Sequence, residues 1–376
     1  MAQLLHQLLY DLRQRCCHLL AELGQLSPTL AAEAVQYRDQ MAARLARTGT
    51  LIEAMLADPG LQDPLLVRNY FHDYKRLSEQ MHYVEAGPVL ALKHFGKDDL
   101  AMTRVVARVC QEINFPYRAP LCATLSAHYY WALPRMDLIF VPCGEPFHLL
   151  ALADLYHELA HFLLERDLRQ LVRPLLRLID KFFNRMVKEA RQKGWPAESV
   201  ARFDERRRQW KRYWYAEFAA DMLAAYWAGP AFGWSNLRLC TNLGVELFEG
   251  VDSHPADAAR HAGVRSMLLQ TGHGAAAAQI DVRWAELVAL TGQQPPTEYD
   301  LVYPPELLDQ MATLLCSSAR NMGLAAWCGP VAAAGPHVTN LLNAAWDQFH
   351  ASPDAFAAYE HTELTGLRQG LGLPPG

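Results

Sequence analysis

Three observations predict a mainly α-helical chain with one small β-sheet (α+β). Apolar residues recur at helical spacing through most of its 376 residues. Short runs rich in β-branched and aromatic residues are confined to 114–143. The breaks between helical stretches are built from Gly and Pro. Hydrophobic residues make up 51% of the chain and charged residues 20%, which is enough apolar material for a substantial core.

The elements follow in order. Residues 1–85 read as helix after helix. Leu4, Leu5, Leu8, Leu9 and Leu12, then Leu19, Leu20 and Leu23, mark an apolar stripe, and AAEAVQYRDQMAARLARTGTLIEAML continues the period. A helical hairpin or small bundle is expected there. LCATLSAHYYWAL and DLIFVPC, separated by PRM, read as a pair of strands, expected to be antiparallel. Gly144-Glu145-Pro146 then starts a helix, with proline near its first position, and that helix carries His157 and His161.

Helices resume over about 168–193. After Gly194-Trp195-Pro196 a long helix runs to Ala228, where Gly229-Pro230 supplies a glycine cap and then a breaker. The remainder reads as mainly helical, with a proline-rich break, TGQQPPTEYDLVYPPE, at 291–306. The expected organisation is a helical N-terminal region over 1–110, a core over 111–290 and a C-terminal helical region over 291–376.

Composition excludes little but points one way. A formal charge of −5 and a pI near 6.3 give no reason to expect nucleic acid or an anionic membrane as partner. The basic run DERRRQWKRYW (204–214) reads as a solvated helix face. The eight cysteines show no paired spacing and read as reduced, buried thiols of a cytoplasmic protein. The N-terminal MAQLLHQLLYDLRQRCCHLL is interrupted by His6, Asp11, Arg13 and Arg15, unlike a signal peptide. In GLAAWCGPVAAAGPHVTNLL two Gly-Pro breaks and His337 argue against a membrane span.

The chemistry is concentrated in ADLYHELAHFLLERD, residues 153–167. His157-Glu158-Leu159-Ala160-His161 has the pattern H-E-x-x-H. Residues four apart on a helix share a face, so both imidazoles can approach one metal ion. Glu158, rotated by about a quarter turn, can then reach a water on that ion. An amphipathic helix with two exposed or hydrogen-bonded histidines would carry the same letters, so a third ligand is needed. In RYWYAEFAADMLAAYWAGP the only charged residues between Arg212 and Arg238 are Glu217 and Asp221, four apart in an apolar helix. Burying two carboxylates costs too much unless a cation and a donor compensate them. Glu217 is therefore the expected third ligand, and Asp221 the acceptor for a ligating histidine. Glu165, one turn after His161, is the rival, although three ligands along one helix would be nearly collinear.

These residues resemble the gluzincin class of zinc metallopeptidases, in which H-E-x-x-H is followed by a glutamate from a later helix. HELAH with EFAAD is closest in form to the family of the prenyl-protein (CAAX) endopeptidase and the HtpX-like proteases. DSHPADAARHAGV adds His254-Pro255 and Arg260, similar to the H-P-x-x-x-x-R segment that follows the glutamate there. The resemblance covers about residues 120–268 and includes no transmembrane helices. It implies a zincin-like catalytic core in the middle block and one zinc held by His157, His161 and Glu217, with Asp221 supporting a histidine ligand. Glu158 would be the general base, and His254 or Arg260 the oxyanion donor, with Tyr213 and Tyr215 as further candidates. The implied function is zinc-dependent endopeptidase activity on a protein or peptide substrate; the alternative is a catalytically silent zincin-like regulatory or binding protein. LCATLSAHYYWAL is the expected edge strand for substrate pairing, and the terminal helical segments are expected to gate the cleft or recruit a regulatory partner.

Overall fold

Helices dominate the chain, and one three-stranded sheet accompanies them among the described residues. The computed structural model describes residues 2–26, 30–63, 65–127, 129–143, 148–242, 246–332 and 336–373. The expected helix start at Gly144-Glu145-Pro146 lies outside them, and the helix that carries His157 and His161 begins only at Asp154, after turns at 149–153. Two units form: Met1–Arg104 with Pro120–Cys143, and Val105–Ala119 with Gly144–Gly376. They cut across the three expected blocks. The strands join the N-terminal helices, and both sides of the 291–306 break fall in the second unit.

In the first unit, α1 (Ala2–Gln25) buries Leu5, Leu9, Leu12, Cys16, Leu19 and Leu23. This seam is narrower than the expected stripe, since Leu4 is exposed and a single line of contact suffices against a neighbouring helix. Helix α2 (Ala32–Ala57) answers with Tyr37, Met41, Leu45 and Ile52, also every three or four residues. Each such side chain contributes about 1.5–3 kcal/mol relative to exposure. Helix α3 (Val67–Val84) continues through a π turn at Glu85–Val89, which contains Pro88, into α4 (Leu90–Lys93). In α5 (Lys97–Glu112), Asp99 accepts from the amide of Gly96 and from the amide and hydroxyl of Thr124.

The strands are β1 (Leu121–Ser126), β2 (Trp131–Leu133) and β3 (Leu138–Pro142), in the order β1-β3-β2. The segment LCATLSAHYYWAL thus folds as two strands, one on each side of β3. β2 pairs with β3 antiparallel, as expected, but β1 pairs with it parallel. The reversal comes from a 3-10 turn at Pro134–Met136 and from Asp137, at φ 54°. Aspartate is among the few residues that tolerate the left-handed region. Leu121, Ala123, Leu138 and Phe140 share one core with α1, α2 and α3, and Tyr37 donates to the carbonyl of Met136.

The second unit is helical among its described residues. Helix α6 (Asp154–Arg166) leads through a π turn (Leu168–Val172) into α7 (Arg173–Gln192). α8 (Ala197–Gln209), a π turn (Trp210–Trp214) and α9 (Tyr215–Ala228) form the expected long rod up to Ala228. Gly229 caps it at φ 61°, where Trp327 leaves no room for a side chain. Pro230 is not a breaker but the first residue of α10 (Pro230–Asn242), where its missing N–H costs nothing. Then follow α11 (Asp257–Gln270), α12 (Gly274–Thr291), α13 (Tyr299–Val302), α14 (Pro305–Asn321), α15 (Val338–Ala351) and α16 (Phe356–Gly370).

Helix α9 is buried from Phe218 to Ala228, flanked by α6, α11 and α14. No helix of the described residues is long and apolar enough to cross a membrane. Of the cysteines, Cys17, Cys143 and Cys328 are exposed rather than buried as expected.

Candidate metal centre

Helices α6 and α9 pack directly against each other, and that contact builds the site. His157 and His161 stand one turn apart on α6, their Nε2 atoms 3.0 Å from each other. Glu217, in the first turn of α9, brings Oε2 to 3.6 Å from His157 Nε2 and Oε1 to 3.7 Å from His161 Nε2. Zinc–ligand bonds of about 2.0–2.1 Å in a tetrahedron require ligand–ligand separations of about 3.3 Å. The three observed separations bracket that value, so the donors fit one small divalent ion with only slight adjustment. Among the described residues, His157, His161 and Glu217 are the group that could hold a metal ion. Glu165 is exposed and outside the group, which removes the rival ligand.

Behind the ligands lies a second layer. Asp221, one turn after Glu217, is fully buried and its Oδ1 lies 2.8 Å from His157 Nδ1. This contact orients the His157 ring, with Nδ1–H donating to the carboxylate and Nε2 turned to the site, where it can ligate once deprotonated. Arg260 of α11 forks onto the same carboxylate, Nε to Oδ2 at 2.7 Å and Nη2 to Oδ1 at 2.8 Å. The structure therefore gives Arg260 a place other than the expected oxyanion role. Its fork is committed to Asp221, making it a positioning residue. Phe232 of α10 stacks on the His157 ring at 6.4 Å, a support with no signature in the sequence.

His254 does reach the site. Its Nε2 lies 3.7 Å from Glu217 Oε2, its Nδ1 lies 2.9 Å from Ser253 Oγ, and its side chain is 55% exposed. The loop that carries it is tied down from below. Trp214 donates its indole N–H to the carbonyl of Val251, Tyr303 accepts from the amide of Ala256, and Val251 donates to the carbonyl of His254. The His-Pro pair precedes α11 by two residues. Among the described residues no hydrogen bond or ion pair joins Tyr213 or Tyr215 to the ligand group. Cys143 donates to the carbonyl of Thr124 within the first unit.

Burial is the largest influence on each titratable group here. It pushes Glu158 up to about 7; Glu217 and Asp154 add to the rise while His157 and Arg260 oppose it. It pushes His161 down to about 4, with the charge of His157 adding. For His157 burial acts downward, but the Asp221 hydrogen bond and the charges of Asp221, Glu217 and Glu158 outweigh it, raising the imidazole to about 9. Burial likewise pushes Glu217 up, and the charges of His157, His161, Arg260 and His254 more than reverse it. Asp221 is held well below the usual carboxylate range against burial by Arg260 and His157. The site is thus a set of carboxylates that favours positive charge between them.

Asp221→Asn is expected to cost about 3–5 kcal/mol, because the buried Arg260 loses its counter-charge. It is also expected to weaken zinc binding roughly 10–100-fold, because His157 loses its orienting acceptor. Denaturant unfolding and a zinc competition titration check the two parts. Unchanged values in both would remove Asp221 from the site. Compared with protein-family models, curated proteins and solved structures, the chain matches none, so its functional reading rests on these residues.

Proposed function

We propose that this chain is a zinc-dependent endopeptidase. The observation that carries the reading is the closed donor set: two imidazoles and Glu217 at near-tetrahedral separations, with Asp221 fixing the outward nitrogen of His157. Two nitrogens and one carboxylate oxygen are a catalytic zinc ligand set that leaves a position open for water or substrate. Zinc bound there supplies Lewis acidity and lowers the pKa of a water.

The remaining work falls to the chain's own groups. Glu158, adjacent to His157 and 5% exposed, takes a proton from the attacking water and returns it to the leaving amine. His254 stands on the exposed side of Glu217 and donates to the developing oxyanion. Arg260 and Asp221 keep the His157 ring in its orientation. The substrate of this reading is a protein or peptide. Cytoplasmic residence and a regulatory protein partner belong to the same reading, the first resting on cysteines without paired spacing.

The deciding experiment is elemental analysis of the metal-replete protein together with mass-spectrometric scanning of a peptide library. The expected result is about one zinc per chain and cleavage that a chelator abolishes and added zinc restores. No zinc after metal-replete purification would sink the reading. Zinc without cleavage of any peptide would select the alternative, a catalytically silent zincin-like regulatory or binding protein.

A pH dependence follows from His157. Raised to about 9, it carries a proton at neutral pH that must leave before Nε2 can ligate. His161, held near 4, is already neutral and releases none. Zinc affinity should therefore rise about tenfold per pH unit between roughly 6 and 8, one proton leaving per ion bound. Competition titrations across that range check the slope. A flat profile would show that His157 releases no proton when the metal binds.

A further inference from the structure

The basic run at 204–214 lines a concavity in the second unit. Arg207, Arg208, Lys211 and Arg212 from the end of α8 and the π turn face Asp180 and Asn184 of α7 around a volume of about 580 Å³. Trp210 and Trp214, four residues apart and so on one face, sink into the core, 0% and 1% exposed, while Lys211 is part-buried and Arg212 exposed. The indole N–H of Trp210 donates to the carbonyl of Val302 and that of Trp214 to Val251, so the segment is anchored at both ends.

Part of the positive charge is spent inside the groove. Lys211 pairs with Asp180 at 2.7 Å, and Arg207 donates to Asn184 and pairs with Asp204. Arg208 and Arg212 are exposed and make no ion pair among the described residues. Four cations against one lining carboxylate thus stand on a chain whose formal charge is −5. We infer that this groove docks an acidic segment of a polypeptide, which on the peptidase reading is the substrate. Guanidinium forks match carboxylates in pairs. The groove is short and carries Asp180, whereas a nucleic acid backbone needs an extended positive stripe without interior negative charge.

The test is fluorescence anisotropy of a labelled hexaglutamate peptide, at low and high salt. The proteins compared are wild type, the double variant Arg208→Ala/Arg212→Ala, and Asp180→Asn, each with its zinc content measured. The expected result is saturable, salt-sensitive binding by wild type, about tenfold weaker in the double variant at equal zinc content. Asp180→Asn should bind more tightly, since a repelling carboxylate is gone. Equal affinity in wild type and the double variant would overturn the inference. So would an oligothymidylate of equal charge that bound more tightly than the peptide and lost affinity in the same variant. Because binding is read without turnover, the two readings fail separately. A wild type that bound hexaglutamate through Arg208 and Arg212 but took up no zinc would sink the peptidase and leave the groove as an acidic-peptide site.

Discussion

Glu158→Gln is expected to keep the zinc content of wild type while peptide hydrolysis falls by about 10²–10⁴-fold, the range that a positioned general base supplies. Gln keeps the shape of the side chain but cannot accept and return a proton. The substitution should also fold well. The Glu158 pKa is raised in the folded state, from 4.5 to about 7. The stability it contributes is therefore present below its unfolded value and lost as the pH rises through 7. A neutral side chain escapes that loss, so at pH 8 the metal-free variant should be at least as stable as metal-free wild type. Zinc analysis, thermal unfolding of the metal-free proteins at pH 6 and pH 8, and turnover of a cleaved peptide read the three parts. Unchanged turnover would remove Glu158 from the chemistry. Lost zinc would mean that Glu158 holds the ion instead.

The ligand group was legible because each member is tied to local rules. His157 and His161 share a face by spacing alone, and Glu217 and Asp221 stand out as the only charges in a helix too apolar to be exposed. What a guanidinium binds is not local. Arg260 was visible as a charge downstream, but only the packing of α11 against α9 shows its fork on Asp221. Strand order failed for the same reason. Periodicity marks strands, yet the parallel pairing of β1 with β3 depends on which neighbours the chain meets after the turn at Pro134–Met136. The rod from Ala197 to Ala228 was read as one helix, and the π turn within it left no mark in hydrophobic spacing.

Glu217→Ala is expected to leave metal-replete purification with little zinc, and the effect should be larger than that of Asp221→Asn. Loss of a partner behind a ligand costs about 10–100-fold in affinity, and loss of a ligand removes both a bond and the negative charge that balances a dication. The remaining imidazoles, 3.0 Å apart at their Nε2 atoms, would hold an ion by two contacts only. Peptide hydrolysis should vanish with the metal. The fold should survive, because Glu217 is in the first turn of α9 at the edge of the buried stretch that begins at Phe218. Circular dichroism would show this, while zinc competition gives the affinity. The comparison with Asp221→Asn then separates roles. If Glu217→Ala loses zinc without unfolding and Asp221→Asn loses stability as well as zinc, one carboxylate ligates and the other holds its neighbour in place. Full zinc in Glu217→Ala would reduce the H-E-x-x-H stretch to a helix bearing two histidines.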